Sequence, residues 1–199
     1  MKVKIKNKGK VKEFNLINSW DDVNLETWTK LINHKSKSKS KEALSVISEL
    51  SNIPKDIINK LDLSTVATIM GRIGELQSKA NQSLTRIIEI EGTRYGFHPD
   101  LDCITLGEYA DIETFIKMDI DKHLPEVMAI LYRPIVEEKN GIYTIEAYDG
   151  QIKLRTEEMK KMSSQEVQNA LVFFYLFART FVKTMALSSI EMMKEMKKQ

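Results

Sequence analysis

The spacing of apolar residues changes character three times along this chain, and each change marks a different kind of element. Val3, Ile5, Val11 and Leu16 alternate with lysine on either side of Asn7-Lys8-Gly9, which predicts a two-stranded hairpin exposing one face. Lysine along such a ribbon also discourages edge-to-edge pairing. From Asn24 the period becomes helical: Leu25, Trp28, Leu31 and Ile32 recur behind an Asn cap. The tract Lys35-Ser36-Lys37-Ser38-Lys39-Ser40-Lys41 has nothing apolar to bury and predicts a flexible loop over 35–41. A second helix is expected from about Glu42 to Leu50, with Leu44, Ile47 and Leu50 inward. Pro54 opens a third through Lys60. Asp62 or Ser64 caps a fourth, in which Val66, Ile69, Met70, Ile73 and Leu76 form one stripe.

After Asn81 the period shortens to that of a strand. Leu84, Ile88 and Ile90, the turn Glu91-Gly92 and then Tyr95-Gly96-Phe97 predict a second hairpin. A further strand, Ile142 to Tyr148, lies between the turn signals Asn140-Gly141 and Asp149-Gly150. Between these strands two helices are expected. The first opens on a capping box, Thr105 with Glu108, and the second runs through Met128-Ala129-Ile130-Leu131 and is stopped by Pro134. Another capping box, Ser163 with Glu166, starts a C-terminal helix to near Lys194. Its face Val167, Leu171, Phe174, Phe181 and Met185 is expected to supply the main core helix, and the all-round apolarity of Leu171 to Phe177 requires cover on several sides. The predicted class is α+β, mainly α: a small helical bundle and a long C-terminal helix with a few short antiparallel strands. One domain over 1–199 is expected, with 1–17 as a basic hairpin arm and 42–199 as the helical core with small strands.

A chain of 199 residues, 42% hydrophobic, is long enough to bury one core without staples. The single cysteine, Cys103, forms no internal disulfide, and a reducing compartment fits it. The longest apolar run, Ala170 to Ala178, falls well short of the roughly 20 residues a membrane span needs, and Met1 to Lys12 lacks the apolar run of a signal peptide. Neither a membrane nor secretion is expected. The net charge of +2 is unevenly spread: residues 1–60 carry 13 Lys and Arg against 7 Asp and Glu, and residues 84–150 carry 6 against 14. Basic ends and an acidic centre suit contact between unlike faces of neighbouring subunits.

Catalytic patterning is scarce. His34, His98 and His123 are widely spaced and belong to no metal-ligand spacing. Asp111, Glu113, Asp119 and Asp121 lack the glycine and terminal glutamate of a calcium loop and are expected at a solvated helix end. Gly71-Arg72-Ile73-Gly74 lies inside a helical pattern, so it is no phosphate loop, and a close helix contact through the two glycines is expected instead. No catalytic residue, metal, cofactor or small-molecule substrate is expected. The surfaces expected to bind a partner are the basic ribbon, through Val3, Ile5, Lys8 and Lys10, and the methionine-rich tail, through Met192, Met193 and Met196.

Three strings carry a family resemblance: 18–28, beginning Asn18-Ser19-Trp20; Leu106-Gly107-Glu108-Tyr109-Ala110-Asp111-Ile112; and Ala129-Ile130-Leu131-Tyr132-Arg133-Pro134-Ile135. Over residues 14–178 the chain resembles small tail or baseplate assembly proteins of tailed bacteriophages, departing from them in its Lys-Ser tract and basic N-terminus. The resemblance implies a non-enzymatic virion structural or assembly protein, or a chaperone, acting in tail, neck or baseplate morphogenesis. It implies partners among other phage proteins in a homo- or hetero-oligomer, and a location in the virion or the cytoplasm of the infected cell. The alternative is a nucleic-acid-binding protein using the basic N-terminal arm.

Overall fold

The computed structural model describes residues 1–7, 10–34, 36, 38–78 and 83–177. Its class is the expected one, α+β and mainly α. Strands β1 (Lys2–Asn7) and β2 (Lys10–Asn15) pair antiparallel, Lys2 opposite Asn15. Helices α1 (Leu25–Asn33), α2 (Lys39–Glu49), α3 (Lys55–Ile58) and α4 (Leu63–Ser78) follow. Then come β3 (Ile87–Ile90), β4 (Thr93–Phe97), α5 (Leu106–Asp119), α6 (Leu124–Leu131), β5 (Tyr132–Lys139), β6 (Ile142–Ile145), α7 (Lys153–Met159) and α8 (164–177). Strands β3, β4, β5 and β6 form one antiparallel sheet in sequence order. Among the described residues no helix is long and apolar enough to cross a membrane.

The buried residues form two clusters. One gathers Val3 and Ile5 of the hairpin with Ile47, Leu50, Ile57, Ile69 and Ile73 of α2–α4. The other gathers Phe97, Ile112, Val127, Met128, Leu131, Tyr132, Met159 and Val167. Two helix starts lie side by side between them. Asn24, which caps α1 by accepting from the Thr27 amide at 2.9 Å, forms an antiparallel bridge with Ser163. Around that bridge the Leu25 amide donates to Met162 O at 2.8 Å, the Ser164 amide to Val23 O at 2.7 Å, and the Ser164 hydroxyl to Trp20 O at 2.8 Å. Backbone groups left over at two helix ends thus satisfy each other and join the halves. Trp28 packs against both clusters.

Several expectations change. Val3 and Ile5 of the hairpin are buried against the helical core, because alternation puts the apolar residues of β1 on one face and that face meets the apolar surface of α2–α4. Helix α2 begins at Lys39, so the end of the Lys-Ser tract is helical. Among the described residues the most completely buried helix is α6. Seven of its eight residues are buried, as expected of a short helix that is apolar all round. Helix α8 turns Val167, Ala170 and Phe174 inward but leaves Val172, Phe173, Tyr175 and Leu176 exposed. Phe181, Met185 and the helix end near Lys194 lie outside the described residues.

Strand β5 was not anticipated. The chain leaves α6 directly at Tyr132, and Pro134 lies inside an interior strand, opposite Tyr95. Its missing amide is tolerated because the β5–β6 register shifts between Ile135 and Glu137, an irregularity of the kind where strand proline is found. The glycines of α4 also differ from expectation, since a Cβ added at Gly71 or Gly74 would meet nothing within 4 Å. No close helix contact explains them. Gly71→Ala and Gly74→Ala are therefore expected to stabilise the protein by about 0.5–1 kcal/mol each, through lost unfolded-state freedom, read as a raised urea midpoint.

Candidate functional site

A group of buried charges ties the Leu106–Ile112 string to the Ala129–Ile135 string. The capping box at the start of α5 is formed: Glu108 accepts from the Thr105 amide at 2.7 Å and from its hydroxyl at 2.5 Å, and the Thr105 hydroxyl accepts from the Glu108 amide at 3.3 Å. The other carboxylate oxygen, Oε1, lies 2.6 Å from Nη2 of Arg133 on β5, although off the direction of its N–H bonds. Glu108 is 1% exposed and Arg133 4%. His98, just past β4, places Nε2 at 3.5 Å from the same oxygen. Arg133 also lies beneath the Tyr148 ring, 5.8 Å from its centroid, and the Tyr148 hydroxyl donates to Asp111 one turn along α5. Burial lowers the Arg133 pKa while Glu108 acts to raise it. Burial and the bond to Asp111 push the Tyr148 phenol well up, so it stays protonated.

This arrangement holds elements together and offers little reactivity. A carboxylate that is 1% exposed and engaged by Thr105, Arg133 and His98 has no room for a substrate proton. Cys103 is exposed, but its thiol donates to Asp100 at 3.3 Å, and that bond raises its pKa, the opposite of an activated nucleophile.

Burial lowers the His98 pKa below 6.5, partly offset by Glu108. The unfolded chain therefore takes up this proton first, and stability is lost as pH falls from about 6.5 toward the depressed folded value. Urea midpoints measured from pH 7.5 to 5.5 are expected to decline in the native protein, and to flatten over that range in His98→Gln.

The acidic residues of α5 do not converge. Asp111 is taken by Tyr148, Glu113 pairs with Lys117 at 3.0 Å, and Asp119 pairs with Lys122 at 2.9 Å. His123 lies 3.6 Å from Glu126 and stacks at a tilt on Phe115. Among the described residues no group of three His, Cys, Asp or Glu is arranged to hold a metal ion. Of the partner-binding residues expected from sequence, Val3 and Ile5 are corrected: they are core, with no open surface. Lys10 belongs to β2, whereas Lys8, Met192, Met193 and Met196 lie outside the described residues.

Two features escaped the sequence. The first is a cavity of about 210 Å³ whose lining includes Arg86, His98, Asp100, Asp102, Phe173 and Phe177, drawn from three stretches of chain. The sequence signal was the polar run His98-Pro99-Asp100-Leu101-Asp102 directly after a strand. The second is the outer side of α5. Glu108, Ile112 and Phe115 face inward, while Leu106, Tyr109 and Ile116, at helical spacing, are exposed, Leu106 by 83%. A larger groove of about 420 Å³ beside α2 is lined by His34, Ser36, Lys41 and their neighbours, none of them buried.

No family model matches this sequence, and no solved structure matches it. The chain is similar to a carbamoyl phosphate synthase small chain from Wigglesworthia glossinidia brevipalpis, 30% identical over 129 residues. The matched part is 61% of this chain and 34% of that protein, so the chain spans about a third of the length of the relative it matches. That relative is a chain of a synthase. The expected function in phage tail, neck or baseplate assembly is corrected on this finding, because the similarity leads to an enzyme subunit and not to a virion component.

Proposed function

We propose that this chain is a non-catalytic component of an enzyme assembly, acting by binding another polypeptide. The observation that carries the reading is α5. Its inner side is fixed by the Glu108–Arg133 pair and by Ile112, and its outer side presents Leu106, Tyr109 and Ile116 to solvent. A helix held this firmly while keeping apolar residues on its outer face resembles the central, water-excluding part of a protein interface. The similarity to a protein named a small chain supports the same reading, since that name implies a chain of another size beside it. The closed state of Glu108 and the raised thiol pKa of Cys103 support a role without bond-making chemistry.

Crosslinking in cells followed by affinity purification of the full chain is expected to recover one partner at fixed stoichiometry, with crosslinks on α5. The double variant Leu106→Asp, Ile116→Asp is expected to lower that recovery by about tenfold or more, the loss of a modest interface anchor. Its thermal melt should be unchanged, because both side chains are exposed. Recovery of the chain alone, or of the partner equally with the double variant, would overturn the reading.

A further inference from the structure

We infer that this protein pairs with a second copy of itself through the free edge of β6, the two strands running antiparallel so that the four-stranded sheets of both copies join into one. The sheet order leaves β6 at an edge, and beyond its ladder to β5 no backbone group of Ile142–Ile145 bonds to the backbone of another described residue. Such a row of open donors and acceptors is a template for another strand, and edges are ordinarily guarded by charge, proline or a bulge. The other edges of this fold are guarded by charge: β1 carries Lys2, Lys4 and Lys6, β2 carries Lys10, Lys12 and Glu13, and β3 carries Glu89. Strand β6 reads Ile142-Tyr143-Thr144-Ile145, with neither charge nor proline. It is also firmly held and open. Tyr143 turns inward and donates to Phe97 O at 2.7 Å, while Ile142 is 76% exposed and borders, with Lys139 and Thr144, a groove of about 310 Å³.

Charge selects the second copy as the occupant and fixes the direction. Lys139 precedes the turn into β6, and Glu146 follows the strand. Lys139 is exposed and forms no ion pair with another described residue, whereas Glu146 is held by Arg155 at 3.6 Å and keeps its side chain 49% exposed. Antiparallel pairing brings Glu146 of each copy to the Lys139 end of the other, at both ends of the junction. Parallel pairing would set Lys139 beside Lys139. A two-fold axis normal to the sheet keeps the inner faces of both copies on one side, so the solvent-facing Ile142 and Thr144 of each strand lie among those of the other, where Ile142 leaves water. The contact consumes the same edge on both copies and therefore closes at two. It uses none of Leu106, Tyr109 or Ile116 and does not rest on the partner-binding reading of α5.

The test is sedimentation velocity of the full chain across the micromolar range, where a reversible equilibrium between monomer and dimer is expected. Ile142→Lys, which puts a charge on the edge, is expected to weaken the dimer about tenfold or more. Lys139→Glu and Glu146→Lys, each of which sets like charges together, are expected to do the same. The double variant Lys139→Glu, Glu146→Lys restores opposite charges and should return to within about threefold of the native dissociation constant. All three residues are exposed, so each variant should keep the native melt, which is measured alongside. The α5 variant Leu106→Asp, Ile116→Asp should leave the equilibrium unchanged. A chain that stays monomeric up to millimolar concentration overturns the inference, and so does association that continues past two copies. So does a dimer that Ile142→Lys leaves intact or the α5 variant abolishes, or a pair of single charge reversals that the double one does not rescue.

Discussion

Glu108→Ala is expected to destabilise this protein by about 3–5 kcal/mol, the range for breaking a buried ion pair from one side. The reason is what remains. Arg133 is 4% exposed, its Nε has no acceptor, and without Glu108 its charge is left in the core beneath the Tyr148 ring with its contacting carboxylate gone. The same substitution removes the carboxylate that accepts from the Thr105 amide at the start of α5. At about 2–4 °C per kcal/mol for a chain of this size, the melting temperature should fall by on the order of 10 °C. The double variant Glu108→Leu, Arg133→Met should recover most of the loss, since a buried pair is often replaceable by apolar groups of similar volume although neither half is removable alone. Urea unfolding of the two variants decides it. A loss under about 1 kcal/mol for Glu108→Ala would match an exposed pair and show that water reaches Arg133 in solution.

The second large effect is expected at Gly96, on β4. A Cβ placed there would lie 2.4 Å and 2.7 Å from the Tyr143 ring and 2.9 Å from Ile145 Cγ2. The ring has little freedom to retreat, because its hydroxyl donates to Phe97 O at 2.7 Å and lies 3.2 Å from Arg86 O. Gly96→Ala is therefore expected to cost about 1–3 kcal/mol by overpacking. In a Tyr143→Leu background, which frees the space beside β4, the same substitution should cost clearly less. A double-mutant cycle in urea measures that coupling, and equal costs in the two backgrounds would mean that the strand shifts and the ring does not set the limit. The glycine is required for close approach and not for its turn-forming freedom, which explains how a glycine resides in the middle of a strand.

Much of the local structure was legible in the sequence, and for physical reasons that act over a few residues. The antiparallel pairing of β1 with β2, the Asn24 cap of α1, the Thr105–Glu108 and Ser163–Glu166 boxes and the turn at Glu91-Gly92 all follow from preferences that act over a few residues of chain. Strand β5 was not legible. Pro134 argues against an interior strand unless the irregularity at Ile135/Glu137 is known, and that irregularity depends on β6. The near-complete burial of α6 was hidden too, since a run of apolar residues does not say on how many sides it will be covered.

The candidate site shows the same division. The sequence by itself determined that Glu108 caps α5, that Arg133 ends an apolar run, and that β1 alternates between lysine and aliphatic residues. These are properties of neighbours along the chain. Only the tertiary structure decided that Glu108 and Arg133, 25 positions apart, share a buried charge contact of 2.6 Å, that Val3 and Ile5 are core and not contact surface, and that Arg86, His98, Asp102 and Phe177 border one cavity. Pairing over such separations is fixed by which surfaces must leave water together, and that is a property of the whole packed arrangement and of no single segment.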